Sequence, residues 1–319
     1  MKTRRPLTIT LSRRSRNRTE SGSVRENESM KSGPDFMCVG MVKGGTRWLF
    51  DQLQYHPDFW MPPIKELHYF DRGLKRGKNA RQALKFARGE SDRRKKQSNR
   101  SRAPGPRDLA FLEEMSSHNN QPLNVQAYGR LFRHKGDLKS GDITPHYCAL
   151  EDEVIVEISQ QFPDIRIILL VRDPVKRAWS HISMASRGGG FDDNLLRDPD
   201  QFRQFLASDK QLNRLSYASR AAANWLKYVD EKRFRYFFMD DIAANAADTR
   251  KEMLLFLDAD PDKPSGTIPP DHNPKAKSKK LDMSPAIQEA LAEHFADELN
   301  ACATTFGGHA NSWRAAYLA

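Results

Sequence analysis

Short apolar runs alternate with longer amphipathic stretches along most of this sequence. Three runs, 36–41, 165–171 and 234–239, are too short for helices and are typical of strands buried in a parallel sheet. The amphipathic stretches have helical spacing, and Pro, Ser or Gly mark several of their ends. These predicted helices span 47–55, 80–88, 154–161, 174–186, 216–229, 249–257 and 284 to about 300. The alternation predicts an α/β fold, a three-layer α/β/α arrangement around a central, mainly parallel sheet.

Two basic segments interrupt this pattern. Residues 1–33 carry nine Lys and Arg against three acidic residues, and residues 72–107 carry fourteen against two. The whole chain of 319 residues has a net charge of +11, so the remainder is mildly acidic. Because residues 1–33 have few apolar groups, we expect a disordered tail. Three explanations of this tail stay open: a transit peptide, a bacterial tail, or a true start of translation at Met30. We expect one domain over 34–319, with 72–107 as a basic insertion that includes a mobile loop over 91–107.

The composition excludes several protein classes. No run of 18 apolar residues occurs, so no membrane-spanning helix is predicted, and the N-terminus lacks the apolar region of a secretory signal. The three cysteines, Cys38, Cys148 and Cys302, lie far apart. That spacing excludes a disulfide framework and a CxxC zinc site, and it suits a reducing compartment. We therefore expect no metal site and favour a bacterial cytoplasmic location.

A glycine-containing turn follows the first predicted strand and precedes the first predicted helix. Its residues, 43–46 (KGGT), can hold an anion because glycine amides and a helix N-terminus both point N–H groups at it. The turn is P-loop-like, since Gly40 and Gly45 have the spacing of the nucleoside-triphosphatase motif. However, Thr46 stands where that motif has lysine, which argues against ATP or GTP hydrolysis. On this motif alone, a glycine turn without function stays an alternative.

A second candidate phosphate site follows the strand at 165–171. Arg172 leaves the strand end, where ligands bind in open α/β sheets, and Ser180 lies about two helical turns further on. An arginine fork and a hydroxyl together can bind a phosphate monoester. An ordinary strand–helix junction with solvated side chains is the alternative.

Together the two motifs resemble those of the sulfotransferases that use 3′-phosphoadenosine 5′-phosphosulfate (PAPS). Residues 42–49 (VKGGTRWL) are similar to the family's K-x-G-T loop, and residues 172–180 (RDPVKRAWS) to its R-[DN]-P-x-x-R-x-x-S motif. The resemblance implies that the first motif binds the 5′-phosphosulfate and the second the 3′-phosphate. A late basic loop would close over the cofactor. The implied cofactor-binding residues are Lys43, Gly44, Gly45, Thr46, Arg47, Trp48, Arg172, Ser180, Lys277 and Ser278.

Two further segments carry candidate chemistry for the acceptor. Residues 65–71 (KELHYFD) resemble the K-E-x-H-[YF]-F-D segment of sulfotransferases that act on heparan-type glycans and of their bacterial relatives. We expect this segment to be extended, so that Glu66 and His68 point the same way. The resemblance implies that Glu66 is the base and that His68 and Lys43 assist in catalysis. Residues 141–147 resemble the family's G-E-x-[ST]-P-x-Y segment, with Asp142 in place of glutamate. The implied substrate-side residues are Lys65, Asp71, Asp142, Thr144 and Tyr147.

These observations predict an enzyme that transfers a sulfuryl group from PAPS to an acceptor hydroxyl or amine. The basic segment 72–107 favours a carbohydrate acceptor, including an anionic one, although a solvated insertion is the alternative reading of that segment. A P-loop kinase that uses ATP is the rival enzyme. A basic nucleic-acid-binding protein is the rival of another class, but the two basic segments lack the series of interleaved aromatic residues expected of it and contain only Phe86. The sequence leaves the oligomeric state open.

Overall fold

The computed structural model describes residues 33–90, 104–264, 268–272 and 281–318. The predicted tail up to residue 32, most of the predicted mobile loop, and the candidate residues Lys277 and Ser278 lie outside these ranges. The division into a tail and a single domain therefore stays a prediction.

Four parallel strands form the sheet of the described residues. They are β1 (Phe36–Gly40), β2 (Gly141–Ile143), β3 (Arg166–Val171) and β4 (Phe234–Phe238). Their spatial order is β2-β1-β3-β4, so β1 and β3 are the central strands. Since all strands run the same way, the loops that follow them leave the sheet at one edge.

Both faces of the sheet are covered, as expected for a three-layer fold. Along β3, Ile167 and Leu169 belong to one buried cluster, whereas Ile168 and Leu170 belong to another. Successive strand side chains point to opposite faces, so one continuous apolar run supplies two cores. The predicted α/β/α arrangement with a mainly parallel sheet is confirmed.

The helices connect and flank these strands. In chain order they are α1 (Thr46–Gln54), α2 (Lys78–Ala87), α3 (Pro106–Ser117), α4 (Val125–Arg130), α5 (Asp152–Gln161), α6 (Pro174–Arg187), α7 (Pro199–Ser208), α8 (Lys210–Arg214), α9 (Ala218–Leu226), α10 (Met239–Ala244), α11 (Ala246–Phe256), α12 (Pro285–His294), α13 (Ala296–Phe306) and α14 (His309–Tyr317). Within the described parts of the chain, no helix has both the length and the apolar character that a membrane crossing needs.

The three predicted strands and the first six predicted helices are present, with bounds shifted by a few residues. One correction concerns the end of the predicted mobile loop, because Pro106 and Arg107 already belong to α3. Gly105 precedes this helix, Pro106 occupies its first position, and the Gly105 amide donates to the Asp108 carboxylate at 2.9 Å. Proline and a carboxylate in the first turn stabilise a helix start.

The predicted single helix from 284 to about 300 is wrong in its length. The backbone of Phe295 leaves helical geometry between α12 and α13, while its side chain is fully buried. A further helix, α14, follows two glycines with positive φ, Gly307 and Gly308. Glycine takes such φ values at little cost, so the chain can reverse here and bring α14 back to the sheet.

Candidate functional site

The ends of three parallel strands bring the candidate residues together. The β1 end leads to Lys43, the β2 end to Thr144 and the β3 end to Arg172. Clefts at the carboxyl ends of strands are where open α/β sheets bind ligands. The predicted motifs therefore share one edge of the sheet, although they lie far apart in the sequence.

The loop between β1 and α1 packs tightly against the end of β3. A methyl group at Gly44 would lie only 2.6 Å from the carbonyl oxygen of Leu170, so only glycine lets the loop approach β3 this closely. Gly45 has a φ of 104° and caps α1, and Lys43 also has a positive φ of 69°. These conformations aim the loop toward the N-terminus of α1, where a phosphate or sulfate group is favoured.

Arg172 joins the two phosphate motifs. Its Nη1 donates to the carbonyl oxygen of Lys43 at 3.0 Å, so the guanidinium lies directly beside the first loop. The next residue, Asp173, caps α6 by accepting from the amides of Val175 and Lys176. The other oxygen of Asp173 accepts from the Tyr317 hydroxyl of α14 at 3.0 Å. The C-terminal helix thus fixes the residue that follows Arg172.

Two other predicted cofactor residues, Arg47 and Trp48, form hydrogen bonds within the protein. Arg47 donates its Nε to both oxygens of Asp51 one turn along α1, at 2.9 and 2.8 Å. The indole of Trp48 donates to the carbonyl oxygen of Pro270 at 2.6 Å, and the indole of Trp179 donates to that of Leu281 at 3.1 Å. Ser180 is half-buried on α6. The cofactor roles of Arg47, Trp48 and Ser180 stay predictions.

Lys65 connects the phosphate loop with the candidate base. Its ammonium donates to the Thr46 hydroxyl at 3.2 Å and forms a short ion pair with Glu66. Only 8% of the Lys65 side chain is exposed, so this charge is held between the two groups. Lys65, which the sequence analysis places on the substrate side, therefore links the β1–α1 loop to Glu66.

The segment around Glu66 and His68 is not extended, contrary to expectation. Both residues have positive φ, 64° and 53°, which folds the backbone tightly instead of alternating the side chains along a strand. The two side chains still meet, with His68 Nε2 3.5 Å from Glu66 Oε2. On the other side of the ring, His68 Nδ1 lies 2.7 Å from Asp71 Oδ2. The imidazole is held between two carboxylates.

These neighbours set the protonation states of the pair. Burial opposes the charge on His68, but the hydrogen bonds to Asp71 and Glu66 outweigh it, so the pKa of His68 is raised. Burial also opposes the charge on Glu66, and the contacts with His68 and Lys65 outweigh it, so the pKa of Glu66 falls below its usual range. The site therefore holds an ionised Glu66 carboxylate beside the Lys65 ammonium, and the carboxylates on either side of His68 favour the charged form of its ring.

The segment after β2 holds the unusual backbone at 67–69 in place. Asp142 Oδ1, the Thr144 hydroxyl and the Tyr147 hydroxyl each accept from one of three successive amides, those of Leu67, His68 and Tyr69, at 3.5, 3.4 and 2.9 Å. The two hydroxyls in turn donate to the Asp142 carboxylate, at 2.7 and 2.8 Å. The side chains after β2 thus fix the backbone conformation of the candidate base segment through these hydrogen bonds.

This arrangement gives Asp142, Thr144 and Tyr147 a positioning role. Each is at most 1% exposed and is hydrogen-bonded within the protein, while their predicted contact with a substrate stays a prediction. Burial raises the pKa of Asp142 to about 6, although Thr144 and Tyr147 donate to its charged form. A fourth partner, the Tyr128 hydroxyl, donates to Asp142 Oδ2 at 3.2 Å.

Two histidines complete the site and were given no role from the sequence. His146 packs edge-on against His68 with ring centroids 4.8 Å apart, and its Nδ1 is buried without a hydrogen-bond partner among the described residues. Burial and then the His68 charge lower the pKa of His146. No sequence spacing relates His146 to His68, because only the β2 register brings them together.

The second histidine, His181, lies on α6. Burial, together with the positive charges of Arg177 and Lys43, lowers its pKa to about 4.

Comparisons with known proteins agree with this architecture. A family model described as "Sulfotransferase family" matches residues 34–263. Among solved structures, the chain is similar to the sulfotransferase from Alicyclobacillus acidocaldarius, with 20% identity, a TM-score of 0.58, and coverage of 88% of this chain and 98% of that one. It is also similar to the sulfotransferase domain of the Synechococcus PCC 7002 olefin synthase, with 16% identity, a TM-score of 0.50, and coverage of 86% and 94%. At these identities the similarity establishes the fold. No curated protein matches the sequence.

The buried carboxylate of Asp142 leads to a prediction about stability and pH. Because its pKa is raised in the folded state, the folded chain keeps this proton while the unfolded chain loses it, between about pH 4 and pH 6. The stability of the wild type relative to Asp142→Asn should therefore fall as pH rises through that window, by on the order of 1–3 kcal/mol. Urea unfolding at several pH values measures this difference.

The exposed Asp200→Asn serves as the control for Asp142→Asn. Because 87% of its side chain is exposed, its difference from the wild type should stay flat over the same pH range. A relative stability of the wild type that rises with pH would contradict the assignment of Asp142.

Proposed function

The chain belongs to the sulfotransferase family, and on that premise we propose that it transfers a sulfuryl group from PAPS to a hydroxyl or amine of an acidic carbohydrate. The observation that carries this proposal is the position of Lys65. Its ammonium contacts both Thr46 of the phosphate loop and the Glu66 carboxylate. The Lys65 ammonium thereby bridges Thr46, which would face the donor, and Glu66, which would face the acceptor.

The residues of the first loop and of Arg172 fit a nucleotide that carries phosphate groups at two positions. The loop leads directly into the N-terminus of α1, and Arg172 lies against it through the carbonyl oxygen of Lys43, which places N–H groups and a guanidinium at one edge of the sheet. PAPS supplies the sulfuryl group when bound. Lys43 and the amides before α1 would bind its 5′-phosphosulfate, and Arg172 and Ser180 its 3′-phosphate. Lys277 and Ser278 stay candidates for the late loop over the nucleotide.

Glu66 is the proposed base. Its carboxylate is ionised, reaches the edge of the cleft with a third of its side chain exposed, and is oriented by His68 and Lys65. It would accept the proton of the acceptor hydroxyl as the oxygen attacks sulfur. Asp71 orients His68 from behind, and cations around the site stabilise the negative charge that develops on the leaving phosphate.

The acceptor is inferred from the charge beside the base. Arg72 follows Asp71 directly, and α2 then presents Lys78, Arg81 and Lys85 as exposed cations at one-turn spacing. A row of exposed cations on the helix that follows the base segment in the chain would attract and orient a polyanion. This supports an acidic or already sulfated glycan more than a neutral small alcohol.

The donor proposal predicts selective nucleotide binding. 3′,5′-Bisphosphoadenosine, the product nucleotide, should raise the melting temperature of the chain, whereas ADP and ATP–magnesium should have little effect. Arg172→Ala should abolish the shift, because it removes the proposed 3′-phosphate contact. Arg235→Ala, on the exposed face of β4, should keep it. Stabilisation by ATP–magnesium alone would favour a kinase and exclude the proposed donor.

The base proposal predicts a loss of turnover without a loss of nucleotide binding. Glu66→Gln keeps the shape of the side chain but removes the proton acceptor, so transfer from radiolabelled PAPS to a heparan-type polysaccharide should fall about 10²- to 10⁴-fold. The melting shift with 3′,5′-bisphosphoadenosine should stay, and the exposed Glu252→Gln should behave as wild type. Near-normal transfer by Glu66→Gln would exclude this residue as the base.

The acceptor proposal predicts a salt-dependent defect. Replacing Lys78, Arg81 and Lys85 together by Ala should raise KM for the polysaccharide several-fold at low ionic strength and much less at high salt. The value of kcat should change little, because these cations lie on α2 and not at the reacting groups. A matched triple substitution of Arg203, Lys227 and Arg235, which are also exposed, should have no such effect. Equal defects in both triple variants would exclude a specific role for α2.

A further inference from the structure

We infer that Glu66, His68 and His146 form a binding site for a divalent transition-metal ion of the Zn²⁺ type. One ligand atom from each residue lies within 4.8 Å of the other two. Zinc prefers imidazole and carboxylate ligands at about 2.0–2.2 Å, which places neighbouring ligand atoms about 3.4 Å apart in a tetrahedron. The pair His68 Nε2 and Glu66 Oε2 already has a separation of 3.5 Å.

The partner behind His68 supports this inference independently. Metal-ligating histidines almost always donate their second ring N–H to a carboxylate or carbonyl, which fixes the tautomer and turns the other nitrogen toward the metal. Here Asp71 Oδ2 lies 2.7 Å from His68 Nδ1, and Asp71 is itself largely buried. His68 therefore turns Nε2 toward Glu66 Oε2, and the His146 ring packs against the same imidazole.

His146 contributes a third ligand that the proposed transfer reaction does not use. It lies on the short helical turn Pro145–Ala149 that follows β2, next to the residues that hold the base segment. Its Nδ1 is buried and has no hydrogen-bond partner among the described residues, so the ring is not engaged on that side by the protein. Buried polar atoms of this kind are few in folded proteins and call for a partner such as water or an ion.

The surrounding charges define which ions can bind. Lys65 occupies Glu66 Oε1 and leaves Oε2 free to face His68, so the carboxylate can serve the lysine and a metal at once. The positive charges of Lys65 and Arg72 nevertheless repel cations. Mg²⁺ binds mainly through oxygen ligands, and the single carboxylate of Glu66 is too few to hold it against this repulsion. Two imidazoles and one carboxylate favour Zn²⁺ or Cu²⁺ over Mg²⁺ and Ca²⁺.

Occupation of this site would block the reaction, a consequence that rests on the proposed function. The metal would bind the Glu66 oxygen that accepts the acceptor proton, and it would stand where the acceptor hydroxyl must enter. The cleft would thus be closed reversibly by a transition metal and reopened by a chelator.

Direct metal binding tests the inference without any need for turnover. The full chain is freed of metal with a chelator, and Zn²⁺ is titrated in competition with a chromophoric zinc indicator. We expect one equivalent to bind to the wild type, with affinity reduced at least tenfold in His146→Gln. His309→Gln removes a half-buried histidine on α14, outside the three-residue cluster, and should bind zinc as the wild type does. An excess of Mg²⁺ should not displace the zinc.

The same samples are tested for the melting shift with 3′,5′-bisphosphoadenosine, which reports folding and the nucleotide site. No zinc bound to the wild type, or equal zinc affinity in His146→Gln, would overturn the metal site and leave the proposed function intact. Zinc binding without any nucleotide shift would instead contradict the proposed donor alone. Where transfer is measured, the fold-inhibition by Zn²⁺ should be smaller in His146→Gln than in the wild type.

Discussion

The buried carboxylate of Asp142 is the interaction on which the rest of the site depends. It accepts hydrogen bonds from the hydroxyls of Thr144, Tyr147 and Tyr128. The first two of these hydroxyls in turn accept from backbone amides of the base segment. A carboxylate can accept several bonds at once, whereas an apolar side chain here would leave the hydroxyls unpaired in the core at a cost of about 1–3 kcal/mol each. The strained backbone at Glu66 and His68 persists because this network defines it.

The base segment and the phosphate loop are held by separate parts of the fold and meet at one cation. The loop depends on β1 and on the carbonyl of Leu170 in β3, whereas the base segment depends on β2. Lys65 bridges them through Thr46 and Glu66. A shift of β2 against β1 would therefore move Glu66 relative to the loop that precedes α1, and the pairing of Met37 with Asp142 fixes this register.

The sequence was a good guide wherever chemistry and structure share consecutive residues. The strand–turn–helix structure at β1–α1 and at β3–α6 is predictable, since each combines a strand end, a turn and a helix start within a few residues. The edge strand β2 has only three residues, too few for a periodic signal, and the meeting of His146 with His68 depends on its pairing with β1. The fold of the Glu66 segment was missed because side chains distant in the sequence impose its positive φ values. The break between α12 and α13 could not be predicted, because the residue at the break is Phe295 and not a helix-breaking Gly or Pro.

The two indoles that donate to Pro270 and Leu281 give this protein an internal optical reporter. Trp48 and Trp179 lie on α1 and α6, the helices that follow the two phosphate motifs, and each is hydrogen-bonded to a backbone carbonyl near either side of residues 273–280. Indole emission depends on the polarity and hydrogen bonding around the ring. Trp60 and Trp225 are buried elsewhere in the fold, whereas Trp313 on α14 donates to Asp240. Substitution of Trp48 or Trp179 thus separates the emission that reports on α1 from the emission that reports on α6 in the unlabelled chain.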